Sequence, residues 1–169
     1  MKAIIAATAA VVLAACASAP TAPPRATAQL EPTKGSKTLG EATFEQAGDK
    51  VHVVVNVKGL KPGQQHGFHI HEVGDCSSGD GMSTKGHFNP AGKPHGHPGS
   101  GHAGDLPALQ ADKSGRAKLD YMADGMTVDT GPNGIVGRGL IVHADPDDYK
   151  TQPTGNAGAR IACGVIRLE

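Results

Sequence analysis

His66-Gly67-Phe68-His69-Ile70-His71-Glu72 is the stretch on which the reading of this chain turns. Side chains on an extended strand alternate between its two faces, so His69 and His71 share one face while His66, Phe68 and Ile70 share the other. One face is apolar and the other carries a pair of imidazoles, which is half of a metal site built on the wall of a β structure. By the same parity His66 reads as a hydrogen-bonded structural histidine and not as a ligand. Two solvated surface histidines would spell the same seven letters, and the rest of the chain has to decide between these readings.

On the N-terminal side, Thr38 to Gln46 reads as a strand ahead of the turn at Gly48-Asp49. Val51 to Lys58 follows, with Val51, Val53, Val55 and Val57 on one face and His52, Val54 and Asn56 on the other. His52 therefore faces outward and takes no part in a site. Gln65 to Glu72 is the next strand. Residues 73–110 are rich in glycine and show no sustained period, and so long a structureless stretch in a compact domain needs something to hold it. Cys76 stands at its start, and His87, His95, His97, His102 and Asp105 lie within it. A metal can do for such a loop what secondary structure does elsewhere.

Further on, Ala108 to Ala111 and Ala117 to Tyr121 read as the two strands of a hairpin turned at Asp112-Lys113-Ser114-Gly115. Met126 to Thr130 is a less definite segment. Gly139 to His143 is a short apolar strand ending in a histidine, and a polar loop over 144–158 leads to a last strand, Arg160 to Leu168. No segment carries an amphipathic helical repeat. Short strands separated by turn signals make this an all-β chain, a sandwich or a barrel.

The chain has 169 residues, enough for one domain with a proper core, and its 24 glycines and lack of tryptophan favour short elements joined by turns. Formal charge balances at zero, which gives no global attraction for nucleic acid. Lys2 followed by the apolar run Ala3 to Ala14 reads as a secretory signal too short to span a bilayer. Leu13-Ala14-Ala15-Cys16 resembles a bacterial lipobox, which makes 1–15 a signal peptide and Cys16 a lipidated anchor; cleavage after Ala17-Ser18-Ala19 is the competing reading. Either places the protein in the periplasm or cell envelope. Residues 16–36, mostly Ala, Pro and Thr, are expected to form a flexible tether, and 37–169 the folded domain. With Cys16 as anchor, Cys76 and Cys163 are left to pair, closing a loop worth on the order of 4 to 5 kcal/mol in the chain-entropy model.

Six segments then carry a family resemblance: GFHIHE (67–72), GHFNP (86–90), HGHP (95–98), GHAGDL (101–106), VGRGLIVH (136–143) and TGNAGARIACGVI (154–166). In this order they resemble copper/zinc superoxide dismutase of the bacterial periplasmic or lipoprotein type, over nearly all of residues 38–169. The resemblance implies a Greek-key β-sandwich or flattened barrel of about eight strands with long metal-binding and active-site loops, the architecture for which that family is known. It implies copper held by His69, His71, His87 and His143, and zinc held by His87, His95, His102 and Asp105. A histidine shared in this way has lost both ring protons, which two flanking cations make reasonable. His95 is preferred to His97 because it meets the HGxP pattern.

The resemblance also implies that Asp147 joins a copper histidine to a zinc histidine, namely His71 and His95, with Asp145 and Asp148 as alternatives. Arg160, three residues before Cys163, would hold the superoxide anion near copper. The implied reaction is dismutation of superoxide to oxygen and hydrogen peroxide by alternate reduction and reoxidation of copper, with His87 taking up and releasing a proton. The loop from His143 to Arg160 is shorter than in eukaryotic members, and Pro153 stands where those carry a lysine, so Lys85, Lys93 and Lys150 are the candidates for steering the anion; the enzyme is itself a known case of such steering. A homodimer is compatible with the family but leaves no motif here. The rival reading is a non-catalytic copper- or zinc-binding lipoprotein of the envelope, which would need neither Arg160 nor a bridging histidine.

Overall fold

The valine alternation sets the core. In the computed structural model, which describes residues 22–169, Val51, Val53, Val55 and Val57 are buried, while Asn56 is exposed and His52 meets Asp120 on the outer face at 2.7 Å. They belong to β3 (Lys50–Lys58), which pairs antiparallel with β2 (Leu39–Ala47) through the Gly48-Asp49 turn and with β7 (Arg116–Ala123) on its other side. Phe44 of β2 and Ala117 and Ala123 of β7 close over the same interior.

The wall strand breaks at Gly67 into β4 (Gln65–His66) and β5 (Phe68–His71). β5 pairs with β8 (Gly139–His143), which pairs with β9 (Arg160–Val165); a short β10 (Arg167–Leu168) follows. With β1 (Arg25–Pro32), the strands form a curled eight-stranded antiparallel sheet in the order β5-β8-β9-β1-β2-β3-β7, with β10 on β1. Non-consecutive neighbours such as β3 with β7 and β5 with β8 require crossovers between the two halves. Phe68, Ile70, Leu140, Val142, Ala162 and Ile166 from one half meet the valines of the other. The all-β sandwich expected from the sequence is therefore the fold.

Two expectations need correction, and one segment left indefinite is resolved. The segment assigned to a tether, 16–36, contains β1 (Arg25–Pro32), which lies at the corner between the two halves. It pairs with β2 over Arg25 to Leu30 and with β9 at Glu31 and Pro32. Composition concealed it, because alanine carries little hydropathy, yet Ala26, Ala28 and Leu30 alternate inward and are buried. The expected hairpin also differs. Its turn closes, with Asp112 accepting from Ser114 and Arg116, but β6 (Leu109–Gln110) pairs with β4 and β7 pairs with β3. Met126 to Thr130 forms no strand, only a single bridge from Thr127 to Gly134. The proposed signal segment and Cys16 lie outside the described residues.

Candidate metal centre

β5 puts two imidazoles on one face, as parity requires, and both His69 and His71 are fully buried. His143 joins them from the end of β8 on the same face, because Gly139 and Ile141 pair with His71 and His69 and side chains alternate; a register shift after Val142 brings Arg160 of β9 opposite it. His87 arrives from the long loop, which docks on β5 through an isolated bridge from His71 to His87 and another from His69 to Asp105. Donor atoms of His69, His71, His87 and His143 all lie within 4.8 Å of one another.

Each of these rings is held by one nitrogen and presents the other. His69 Nε2–H donates to Asp147 Oδ2 at 2.7 Å, His71 Nδ1–H to the Lys85 carbonyl at 2.9 Å, and His143 Nδ1–H to the Gly158 carbonyl at 3.2 Å. His69 Nδ1, His71 Nε2, His87 Nε2 and His143 Nε2 are buried without a hydrogen-bond partner. One buried unpaired polar atom costs about 1–3 kcal/mol, so four converging on one point are unreasonable unless they serve as electron-pair donors to a cation. Burial, reinforced by His87 and His143, holds the His69 and His71 rings well below the usual imidazole range, and burial brings His143 down to about 4. Their lone pairs are thus free at neutral pH.

A second cluster adjoins the first. His87, His95, His102 and Asp105 bring their donors within 4.8 Å of one another, all buried. His87 Nδ1 is 2.8 Å and His95 Nδ1 3.0 Å from the Asp105 carboxylate, and His102 Nδ1 is 3.4 Å from His87 Nδ1. A tetrahedral ion bound at about 2.0–2.1 Å needs donor–donor edges of roughly 3.3 Å, so these spacings fit one. Burial alone would push the Asp105 carboxyl up; hydrogen bonds from His87 and from the Gly96 and His102 N–H groups outweigh it and hold it below the usual range. His87 belongs to both clusters, with Nε2 in the first and Nδ1 in the second.

Asp147 joins them, with a correction to its partner. Its carboxylate takes His69 Nε2–H and, at 2.9 Å, His95 Nε2–H, not His71. His71 has already given its Nδ1–H to Lys85. Asp148 instead organises its own loop and Asp145 is exposed, so neither replaces Asp147. His97 is exposed and stacks on Tyr149 at 4.5 Å, outside both clusters. His66 is the structural histidine expected: its Nδ1–H donates to the His143 carbonyl at 2.8 Å.

Arg160 is half-buried and points its guanidinium at three uncharged oxygens: Gly81 O at 2.7 Å, Thr84 Oγ1 at 2.8 Å and Lys85 O at 2.6 Å. Its hydrogen-bond partners carry no charge, and among the described residues Arg160 forms no ion pair, Asp80 acting on it only through space. The segment supplying those oxygens is tied to β9 by the Cys76–Cys163 disulfide. Sequence reasoning missed the Lys85 carbonyl, which receives both His71 and Arg160. A backbone acceptor leaves no residue-type signature, and only the left-handed φ of 62° marks the place.

A curled antiparallel sandwich with two adjoining imidazole-rich clusters sharing one histidine defines a binuclear metalloprotein. A sequence model of the copper/zinc superoxide dismutase (SODC) family matches residues 38–166. The chain is 42% identical over 149 residues to copper-zinc superoxide dismutase 2 of Aquifex aeolicus (strain VF5), covering 85% of this chain and 86% of that protein. It is 40% identical over 140 residues to copper-zinc superoxide dismutase 1 of the same organism, covering 79% and 82%. Its fold is similar to the crystal structure of the clock protein EA4, with a TM-score of 0.78 and 41% identity over 90% of this chain and 99% of that one. The chain belongs to the copper/zinc superoxide dismutase family, and its cofactors are copper and zinc. The two clusters suit that pair, since an all-imidazole set fits copper and three imidazoles with a carboxylate fit zinc.

Proposed function

We propose that this chain dismutes superoxide to molecular oxygen and hydrogen peroxide, with His69, His71, His87 and His143 as copper ligands and His87, His95, His102 and Asp105 as zinc ligands. The shared His87 carries the reading, because a ring with one nitrogen in each cluster is the feature a simple metal store does not need. When bound, copper supplies one-electron redox chemistry and zinc a fixed positive charge beside it.

Arg160 holds the substrate anion, since its three partners leave its charge free. The Lys85 carbonyl fixes that guanidinium relative to His71, so anion and wall keep one geometry. Two superoxide ions and two protons give one oxygen and one hydrogen peroxide. His87 Nε2 is the atom suited to take and return one of those protons: with both sites filled that ring would carry no proton and would become neutral on gaining one, whereas the other three rings already carry a proton on the nitrogen facing Asp147, Lys85 or Gly158. Asp147 holds the tautomers of His69 and His95 together.

Metal analysis combined with the decay of superoxide tests the proposal: one copper and one zinc per chain together with rapid consumption support it. Both metals without consumption would point to the metal-binding lipoprotein instead. We further place the protein in the cell envelope, anchored through Cys16, on the strength of the lipobox-like Leu13-Ala14-Ala15-Cys16. Cys16→Ser should move it from the membrane to the soluble fraction, and an unchanged distribution would refute the anchor.

A further inference from the structure

Gln152 lies outside both clusters, yet it grips the main chain of one of their histidines at both ends. Its Oε1 accepts the His95 N–H at 2.8 Å, and its Nε2–H donates to the His95 carbonyl at 2.9 Å, across 57 positions of sequence. His95 sits in an irregular part of the long loop, where no strand partner satisfies those two groups. The amide therefore replaces a strand neighbour, donating and accepting at the same residue.

The loop that carries Gln152 is itself stiff. The Asp148 carboxylate accepts from the Lys150 and Thr151 N–H groups, each at 2.8 Å, and from the Thr151 hydroxyl at 2.6 Å. Asp148 N–H donates to Gly155 O, and Gly155 N–H to Thr151 O, closing the turn from both sides. From this one loop Asp147 holds the His95 ring and Gln152 holds the His95 backbone. Tyr149, between them, stacks on His97 two residues further on.

We infer that Gln152 is a positioning residue for zinc: by pinning the His95 main chain to the Asp147 loop, it fixes the direction of His95 Nδ1 and so the tightness and regularity of the ion's coordination. The inference rests on reading His87, His95, His102 and Asp105 as the zinc site. Groups that orient a metal ligand without touching the metal are typically worth about 10-fold to 100-fold in metal affinity. A mere tie between two loops would instead affect the stability of the metal-free chain.

The test uses Gln152→Met, which keeps length and volume but neither donates nor accepts, beside Lys150→Met as a control on the same exposed loop. Zinc affinity is read by competition with a chromogenic chelator, and site geometry by the visible spectrum of cobalt(II) bound in place of zinc. Gln152→Met should bind zinc about 10-fold more weakly and alter the cobalt bands, while its metal-free unfolding midpoint and the Lys150→Met control match wild type. Should Gln152→Met fail to fold, Gln152→Glu, which keeps the acceptor and loses the donor, makes the same measurement with half the grip removed. Wild-type zinc affinity and cobalt spectrum in the variant would overturn the inference. So would a loss of affinity matched by an equal loss of metal-free stability. A wild-type chain that takes up neither zinc nor cobalt would instead overturn the reading of the cluster.

Discussion

Arg160 and His143 face each other across β8 and β9, and their roles separate cleanly. Among the described residues Arg160 makes no hydrogen bond to a metal-ligand side chain, so Arg160→Ala should retain both metals while superoxide consumption falls by about tenfold, or ~1.4 kcal/mol of activation free energy. Stopped-flow decay with metal analysis checks this, and unchanged decay removes the anion-holding role. In the metal-free chain burial brings the His143 pKa from 6.5 to about 4. The unfolded chain then binds the extra proton between those values, so stability is full above about pH 6.5 and is lost as pH falls toward 4. Melting of the metal-free protein across that range should show the decline; a flat profile would refute it. At this scale parity correctly set His66 and His52 aside, and the HGxP pattern separated His95 from His97. Parity could not tell which histidine Asp147 reaches, because His69 and His71 lie on the same face.

Among the elements, β1 is where composition misled. Arg25–Pro32 looks like part of an Ala/Pro/Thr tether, yet its alternate residues enter the corner of the sheet and Leu30 is 1% exposed. Leu30→Ala should therefore cost about 2–5 kcal/mol in urea unfolding, where a tether residue would cost nothing measurable. The hairpin expected between β6 and β7 failed for a related reason. Turn chemistry at Asp112 is local and was legible, but the strand that completes a ladder is chosen by what lies alongside after closure. β8 shows the reverse case: its apolar run ending in His143 was legible to the residue, and the register shift that brings Arg160 opposite that histidine was not.

For the whole molecule, the disulfide links the long loop to β9 across 87 positions. Replacing Cys76 and Cys163 together by Ser should lower unfolding free energy by about 4–5 kcal/mol in the loop-closure model. It also releases the segment whose Gly81, Thr84 and Lys85 oxygens hold Arg160, so below the melting temperature the double variant should lose more superoxide consumption than Leu30→Ala. Equal activity in the two variants would show that the bond does not serve Arg160. The all-β class and a pool of candidate histidines follow from the sequence by itself, because strand parity and side-chain chemistry are properties of a few neighbouring residues; the cysteine pair follows from setting Cys16 aside, and the division into copper and zinc ligands from the resemblance of six ordered segments. Tertiary structure alone decided that Asp147 reaches His69, that residues 25–32 enter the sheet and that Gln152 grips His95. Each is a choice between locally equivalent groups, and distance after the chain has closed is what separates them.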